Sequence, residues 1–439
     1  MNNRVNEIKI VRDRLNAVSP SFCTMKWLHQ TLYLHTGDNH SCYHPRPHHI
    51  GLDEIAIDAS ALHNTKWKKE QRKQMLAGER PKECHYCWTF EDLNKDLTSD
   101  RMVFNGANGT FGSDIPETVE FNGTENINPR YMEVSFNHRC NLACSYCSPG
   151  QSSRWHEEIK RFGGYPVKDA TVRHLHDHVP EEENPYIEAF WKWLPDCYDG
   201  LKFLRITGGE PLMSHSADKL LDYAANNENK QLTIAYNTNL CTPDRRIDHL
   251  IEQADRLKDK VERFRIYTSC DTVGEQAEFI RHGFEWDRWC ANTERVARSG
   301  HPVNVMCTFG MLSVFKFPEF IDQVLAWRSQ GLDIKFSCAA LVDPKHFDVR
   351  LLPDEYDYYW HKLANKLDEV REQLTPQEQR TLENMIALRK SKDAMDQDER
   401  ADLLNEFKIF FAEHDRRRNT SLLTAFPELQ GLYAQANTQ

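Results

Sequence analysis

Tyr131-Met132-Glu133-Val134-Ser135-Phe136, with Arg139-Cys140-Asn141-Leu142-Ala143-Cys144-Ser145-Tyr146-Cys147 close behind it, decides the fold. The first run alternates apolar and polar residues as a strand does, and three cysteines follow at gaps of three and two residues. Three thiolates this close can hold three irons of a cubane cluster. The fourth iron is then open to a small molecule offering an amine and a carboxylate. Electron-transfer clusters are closed by four cysteines, so an open iron points to chemistry. Zinc is the alternative, but it favours C-x2-C pairs and a fourth ligand, which Cys140 to Cys147 lacks nearby.

The triplet is followed by further strand–turn signals. The run from Lys202 to Thr207 leads into Gly208-Gly209-Glu210-Pro211. The two glycines admit close backbone approach, and the carboxylate can hold an ammonium group. Taken together, the triplet and this turn resemble the radical S-adenosylmethionine (SAM) enzymes. The resemblance implies a [4Fe–4S] cluster on Cys140, Cys144 and Cys147 with SAM on its open iron. It also implies that Gly208, Gly209 and Glu210 hold the methionine amine and that Tyr146 lines the adenine pocket. Asn237 and Asn239 end the next strand and are site candidates by position. Ser269, Asp271 and Arg281 match the element that contacts the ribose and carboxylate of SAM in such enzymes.

Strands are expected at Tyr131–Phe136, Lys202–Thr207, Leu232–Asn237, Phe264–Ser269, Val303–Phe309 and Asp333–Cys338. Helices are expected between them, as at His215–Asn227, Trp286–Ser299 and Pro318–Gln330. This alternation predicts an α/β fold, a partial (βα)6 TIM-like barrel with its chemistry at the C-terminal strand ends. The barrel is assigned to residues 131–345. The long stretch from Pro149 to Gly200 reads as a helix plus a His- and Glu-rich insertion. Residues 101–130 read as a linker, and 346–439 as a helical extension opened by Pro353 and Asp354. Charge-rich Arg389–Arg400 reads as a solvated connection.

Residues 1–100 carry Cys23, Gly37 and Cys42 in a C-x13-G-x4-C pattern, then Cys84 and Cys87. Four such thiolates can close a zinc site or an iron–sulfur cluster. The opening resembles the auxiliary-cluster module of SPASM and twitch enzymes within the same superfamily, placed here before the barrel. The resemblance implies an auxiliary [4Fe–4S] cluster on Cys23, Cys42, Cys84 and Cys87. The nearby His44, His48 and His49 lie among prolines and read as a solvated loop.

Six of the thirteen cysteines remain, and most read as small buried hydrophobes. Cys307 and Cys338 fall late in two predicted strands. If they face the barrel interior, they are candidates to donate a hydrogen atom to a substrate radical. The Arg416-Arg417-Arg418 run offers an anion site, or more ordinarily a solvated helix end. With 439 residues, a net charge of -11 and no long apolar run, the chain reads as cytoplasmic. Neither nucleic acid nor membrane is expected as a partner. By family analogy the substrate is a ribosomally made precursor peptide undergoing crosslinking, epimerisation or backbone excision, and the reductant a flavodoxin- or ferredoxin-type donor. A small metabolite or nucleoside is the alternative substrate, and a zinc-binding scaffold the alternative to catalysis.

Overall fold

The computed structural model describes residues 2–93, 99–106, 123–175, 177–392 and 395–434. Its strands are β1 (His29–Tyr33), β2 (Asp38–His40), β3 (His48–His49), β4 (Tyr131–Ser135), β5 (Ala143–Cys144) and β6 (Phe203–Thr207). There follow β7 (Asn229–Thr238), β8 (Val261–Ser269), β9 (Arg281–His282), β10 (Val303–Phe309) and β11 (Ile334–Ala340). Nine of them form one sheet in the order β11-β10-β8-β7-β6-β4-β1-β2-β3. All pairs from β11 to β1 are parallel, and the two beyond β1 are antiparallel. The six expected strands are therefore all present as a TIM-like parallel sheet. Helices His215–Asn226, Trp286–Arg298 and Phe317–Ser329 stand where the sequence put them.

One neighbour was not foreseen. β1 runs parallel to β4 in full register, His29 against Tyr131 through Tyr33 against Ser135. The cysteine-bearing N-terminal segment thus continues the barrel sheet. Residues 101–130, expected as a linker, include most of the helix Asp100–Asn105, and residues 107–122 lie outside the described residues.

Strand alternation sorts the side chains into two layers. Val303, Val305, Cys307 and Phe309 of β10 are buried in the apolar core, whereas the residues between them are only partly buried. Phe309 meets Phe317 of the overlying helix at 5.1 Å, which fixes this face as the helix-facing one. The opposite face lines the lumen and is polar. There Arg205 donates to Asn237 Oδ1 at 3.0 Å and to the Tyr131 hydroxyl at 3.2 Å, and its guanidinium lies 3.9 Å from Glu133.

The C-terminal region is helical, with helices Asp357–Val370, Pro376–Arg389 and Gln397–Arg418. A capping box of Thr375 and Glu378 starts the second. Glu378 also accepts from the backbone N–H of Phe336 at 2.9 Å, satisfying a donor of edge strand β11. Phe407, Phe410, Phe411 and His414 form the buried stripe of the third helix. The Arg389–Arg400 connection differs from its solvated expectation at both ends. Arg389 is buried and donates to the Leu352 carbonyl at 2.6 Å, and Arg400 donates to the same carbonyl at 2.8 Å.

Candidate active site

The cysteine triplet occupies the loop after β4, where backbone and side-chain contacts hold it from several directions. Ser153 Oγ accepts from Cys140 N at 3.1 Å, Ser152 donates to the Leu142 carbonyl at 2.7 Å, and Trp155 Nε1 donates to the Cys144 carbonyl at 2.8 Å. The short strands β5 and β9 pair antiparallel, setting Cys144 opposite Arg281. The Arg281 guanidinium lies 3.7 Å from Cys144 Sγ. Burial raises all three thiol pKa values, that of Cys147 to about 12. Arg281 and Arg418 oppose that rise at Cys144 and Cys147. Buried thiols of this kind ionise when a metal takes the proton's place, so this soft donor set suits iron–sulfur ligation.

The Gly-Gly-Glu turn after β6 docks on the same loop. Gly209 N donates to the Asn137 carbonyl at 3.1 Å, and Glu210 N to the Arg139 carbonyl at 2.6 Å. A Cβ on Gly209 would sit 2.3 Å from the Arg139 oxygen, and Gly208 has a φ of +138°. Both positions therefore require glycine. The Glu210 side chain is buried and accepts from Leu212 N (3.0 Å), Thr238 Oγ1 (2.7 Å) and Asn239 N (2.7 Å). Burial nevertheless raises its carboxyl pKa to about 7. Asn239 links onward to Asn141 of the cysteine loop at 2.8 Å.

These pieces enclose a cavity of about 230 Å³. Cys140, Cys144 and Cys147 line it beside Tyr146, and Gly208, Gly209 and Glu210 face them. Asn237, Asn239, Ser269 and Arg281 complete the wall. Asp271 does not line it. Its carboxylate is engaged by Arg281 at 2.9 and 3.0 Å, by the Tyr146 hydroxyl at 2.9 Å and by Thr308 N at 2.9 Å. Asp271 orients Tyr146 and Arg281, which differs from the ribose contact expected for it. Gln151, Thr207 and Thr238 also line the cavity and were not anticipated. Thr207 and Thr238 end their strands, a signal that could have found them.

Cys307 and Cys338 are register partners on β10 and β11. Both lie on the helix-facing side, in phase with Phe309 and Phe336, and belong to the apolar core. The expectation that they face the barrel interior is therefore corrected. Strand periodicity gave two possible phases, and the helix Phe317–Ser329 selects the outward one.

The Arg416–Arg418 run is also not a solvated helix end. Arg416 is exposed, but the side chains of Arg417 and Arg418 are buried. Arg418 donates to the Ala143 carbonyl at 2.7 Å and to Glu158 at 2.8 Å, with its guanidinium over the Trp155 ring.

In the N-terminal segment Cys23, Cys42, Cys84 and Cys87 are all partly buried and near enough to raise one another's pKa. Burial is the larger cause, lifting Cys42 to about 12 and Cys87 to about 11. Lys26, paired with Glu83, and Arg101, paired with Glu91, are buried close by and oppose the rise. Among the described residues, no three cysteine sulfurs lie within 4.8 Å of one another. His44, expected in a solvated loop, stacks on Tyr86 at 3.6 Å and pairs with Asp100.

Residues 134–322 match the model of the radical SAM superfamily. Among curated proteins, the chain is 26% identical over 208 residues to the GTP 3′,8-cyclase of Aliarcobacter butzleri, covering 47% of this chain and 54% of that one. It is 24% identical over 213 residues to molybdenum cofactor biosynthesis protein 1 of Drosophila melanogaster, covering 47% and 31%. The chain thus spans about half or less of these relatives' length. Among solved structures, Streptococcus suis SuiB bound to S-adenosylmethionine aligns with a TM-score of 0.36 at 17% identity, over 56% of this chain and 47% of that one. SuiB bound to its precursor peptide SuiA aligns at 0.37 and 15%, over 80% and 70%.

Proposed function

Since residues 134–322 are a radical SAM superfamily domain, we propose that this chain binds SAM at a [4Fe–4S] cluster held by Cys140, Cys144 and Cys147 and abstracts hydrogen from a substrate carbon. One observation carries the reading: a single cavity has the three thiols on one wall and the Gly-Gly-Glu turn, Ser269 and Arg281 on the others. The cluster with SAM supplies a 5′-deoxyadenosyl radical. The protein supplies position and dryness. The ionised Glu210 carboxylate offers a counter-charge to an ammonium group. Gly208 and Gly209 let backbone approach a ligand, and Asp271 fixes Arg281 and Tyr146. Arg418 and Trp155 close the loop from outside.

Cys23, Cys42, Cys84 and Cys87 hold an auxiliary [4Fe–4S] cluster in this reading. The buried cations Lys26 and Arg101 favour an anionic centre there.

For electron entry, an open groove beside Cys140 carries Arg139, Arg154, Arg245, Arg246 and Arg288 against Glu157, Asp218 and Glu285. Arg246 pairs with Asp218 and Arg288 with Glu285, and the residual positive lining on a chain of net charge -11 supports docking of an acidic flavodoxin- or ferredoxin-type donor.

The substrate is read as a precursor peptide, by the resemblance that introduced the auxiliary module. The GTP 3′,8-cyclase similarity favours a nucleotide as the second reading. Anaerobic reconstitution with dithionite and SAM tests the core reading. Release of 5′-deoxyadenosine is expected, and it should vanish in the Cys140→Ala, Cys144→Ala, Cys147→Ala variant. Intact SAM in the reconstituted wild type overturns it. Iron near about eight atoms per chain supports two clusters, and about four removes the auxiliary one. Titration with any short precursor peptide found encoded beside this gene, and separately with GTP, discriminates the substrates.

A further inference from the structure

Next to the cysteine loop, but outside its cavity, three imidazoles converge. His138 follows β4, His156 sits on the helix Ser153–Phe162, and His178 lies in the insertion after that helix. One ring nitrogen from each lies within 4.8 Å of the other two. The His138 and His178 rings stack at 3.5 Å, and His156 is 5.7 and 5.4 Å from them. All three are partly buried. We propose that His138, His156 and His178 form a binding site for a divalent transition metal of the zinc class, separate from both sets of cysteines.

Three observations support the assignment. First, imidazole is the ligand that suits zinc and its neighbours, and three of them leave one coordination position for water or a substrate oxygen. Second, His178 Nε2 lies 3.2 Å from the Pro149 carbonyl. A proton held there leaves Nδ1 as the ligating atom, the arrangement in which a metal-binding histidine donates its other N–H to a backbone carbonyl. Third, His156 Nδ1 is buried with no hydrogen-bond partner among the described residues. Buried polar atoms are ordinarily satisfied, and a cation would satisfy this one. Ligand nitrogens on one zinc lie roughly 3.4 Å apart, so binding would turn His138 and His178 out of their parallel stack to bring both lone pairs onto one ion.

His35 buttresses the group without joining it. Its ring stacks near His178 at 5.4 Å, while its Nε2 lies 3.1 Å from the Gly150 carbonyl. A metal here would pin the insertion to the start of the cysteine loop and to the helix that follows it, through ligands from three separate segments.

The test uses the full chain with its iron–sulfur centres reconstituted, so that cysteines are not free to take zinc. After EDTA treatment and desalting, the protein is incubated with zinc chloride, desalted again and assayed by mass spectrometry for zinc and iron. About one zinc per chain is expected, lost in His156→Ala and in His178→Gln with iron unchanged, and retained in His174→Ala. Diffraction at the zinc edge provides a check that needs no variant, with an anomalous peak expected between the three rings. Zinc uptake unchanged in both variants, or an anomalous peak only elsewhere, overturns the proposal. Loss of iron or SAM cleavage would bear on the cysteine loop instead, so the two readings fail separately.

Discussion

Arg418, the last residue of a 22-residue helix, donates a 2.7 Å hydrogen bond to the carbonyl of Ala143, the residue before Cys144. The far end of the chain therefore holds the central cysteine of the triplet in place. Arg418 also pairs with Glu158 at 2.8 Å, and both side chains are largely buried.

Removing one partner of a buried pair leaves the other uncompensated. Arg418→Met should cost about 3 kcal/mol of stability and lower iron retention at the triplet. Adding Glu158→Gln should recover part of the stability. Urea unfolding and iron content per chain provide the measurements, and an unchanged midpoint in the single variant would contradict the contact.

A methyl group at Gly209 meets backbone oxygen at 2.3 Å, so Gly209→Ala must push the cysteine loop away. It should abolish cluster assembly while leaving far-ultraviolet circular dichroism intact. Gly163 makes the control. It also has positive φ, at +80°, but an added Cβ there meets nothing within 4 Å. With a ψ of 177° this is backbone essentially confined to glycine, so Gly163→Ala should cost up to about 3 kcal/mol of local strain and yet retain its iron.

The Glu210 carboxyl has its pKa raised to about 7 from an ordinary 4.5. Between these values the folded chain binds more protons than the unfolded one. Stability is therefore greatest below the ordinary value, falls as pH rises toward 7, and levels off above it. The drop amounts to about 3 kcal/mol for a fully buried group. Glu210→Gln should flatten that slope in urea titrations at pH 5 and 7.5. If Glu210 holds the SAM amine as proposed, the contact needs its ionised form, so affinity should strengthen from pH 6 to 8 in the wild type and stay level in the variant. A pH-independent wild-type affinity would remove the ammonium contact.

Cys307 and Cys338 face the helix layer. Cys307→Ala and Cys338→Ala should each cost about 1 kcal/mol from lost packing and leave product identity and SAM turnover unchanged. Loss of product in either variant, with stability intact, would return the thiol to the chemistry.

Local patterns were legible in the sequence, and long-range partnerships were not. Cys140, Cys144 and Cys147 fall within one short loop and Gly208-Gly209-Glu210 within one turn, so each pattern keeps its meaning without a fold. Asp271 is different. Its partners Arg281, Tyr146 and Thr308 come from three other segments, and only the assembled barrel turns its carboxylate away from the cavity. Arg417 and Arg418 had the composition of a solvated helix end, because nothing local reveals that a surface awaits them. β1 escaped notice since His29-Gln30-Thr31-Leu32-Tyr33 is short and polar and gains strand character only from pairing with β4. The polar lumen was partly readable, as Glu133 and Arg205 each interrupt a buried strand. Their pairing across register required the sheet.

The shared register of β1 and β4 makes the first hundred residues inseparable from the machinery that follows them. Cutting the chain between them would bare a row of unsatisfied amides along Tyr131–Ser135, and such an edge invites other strands to stick. The segment is therefore a stave of the vessel and not a lid upon it. A trimmed protein should be lost to aggregation before its chemistry can be assayed.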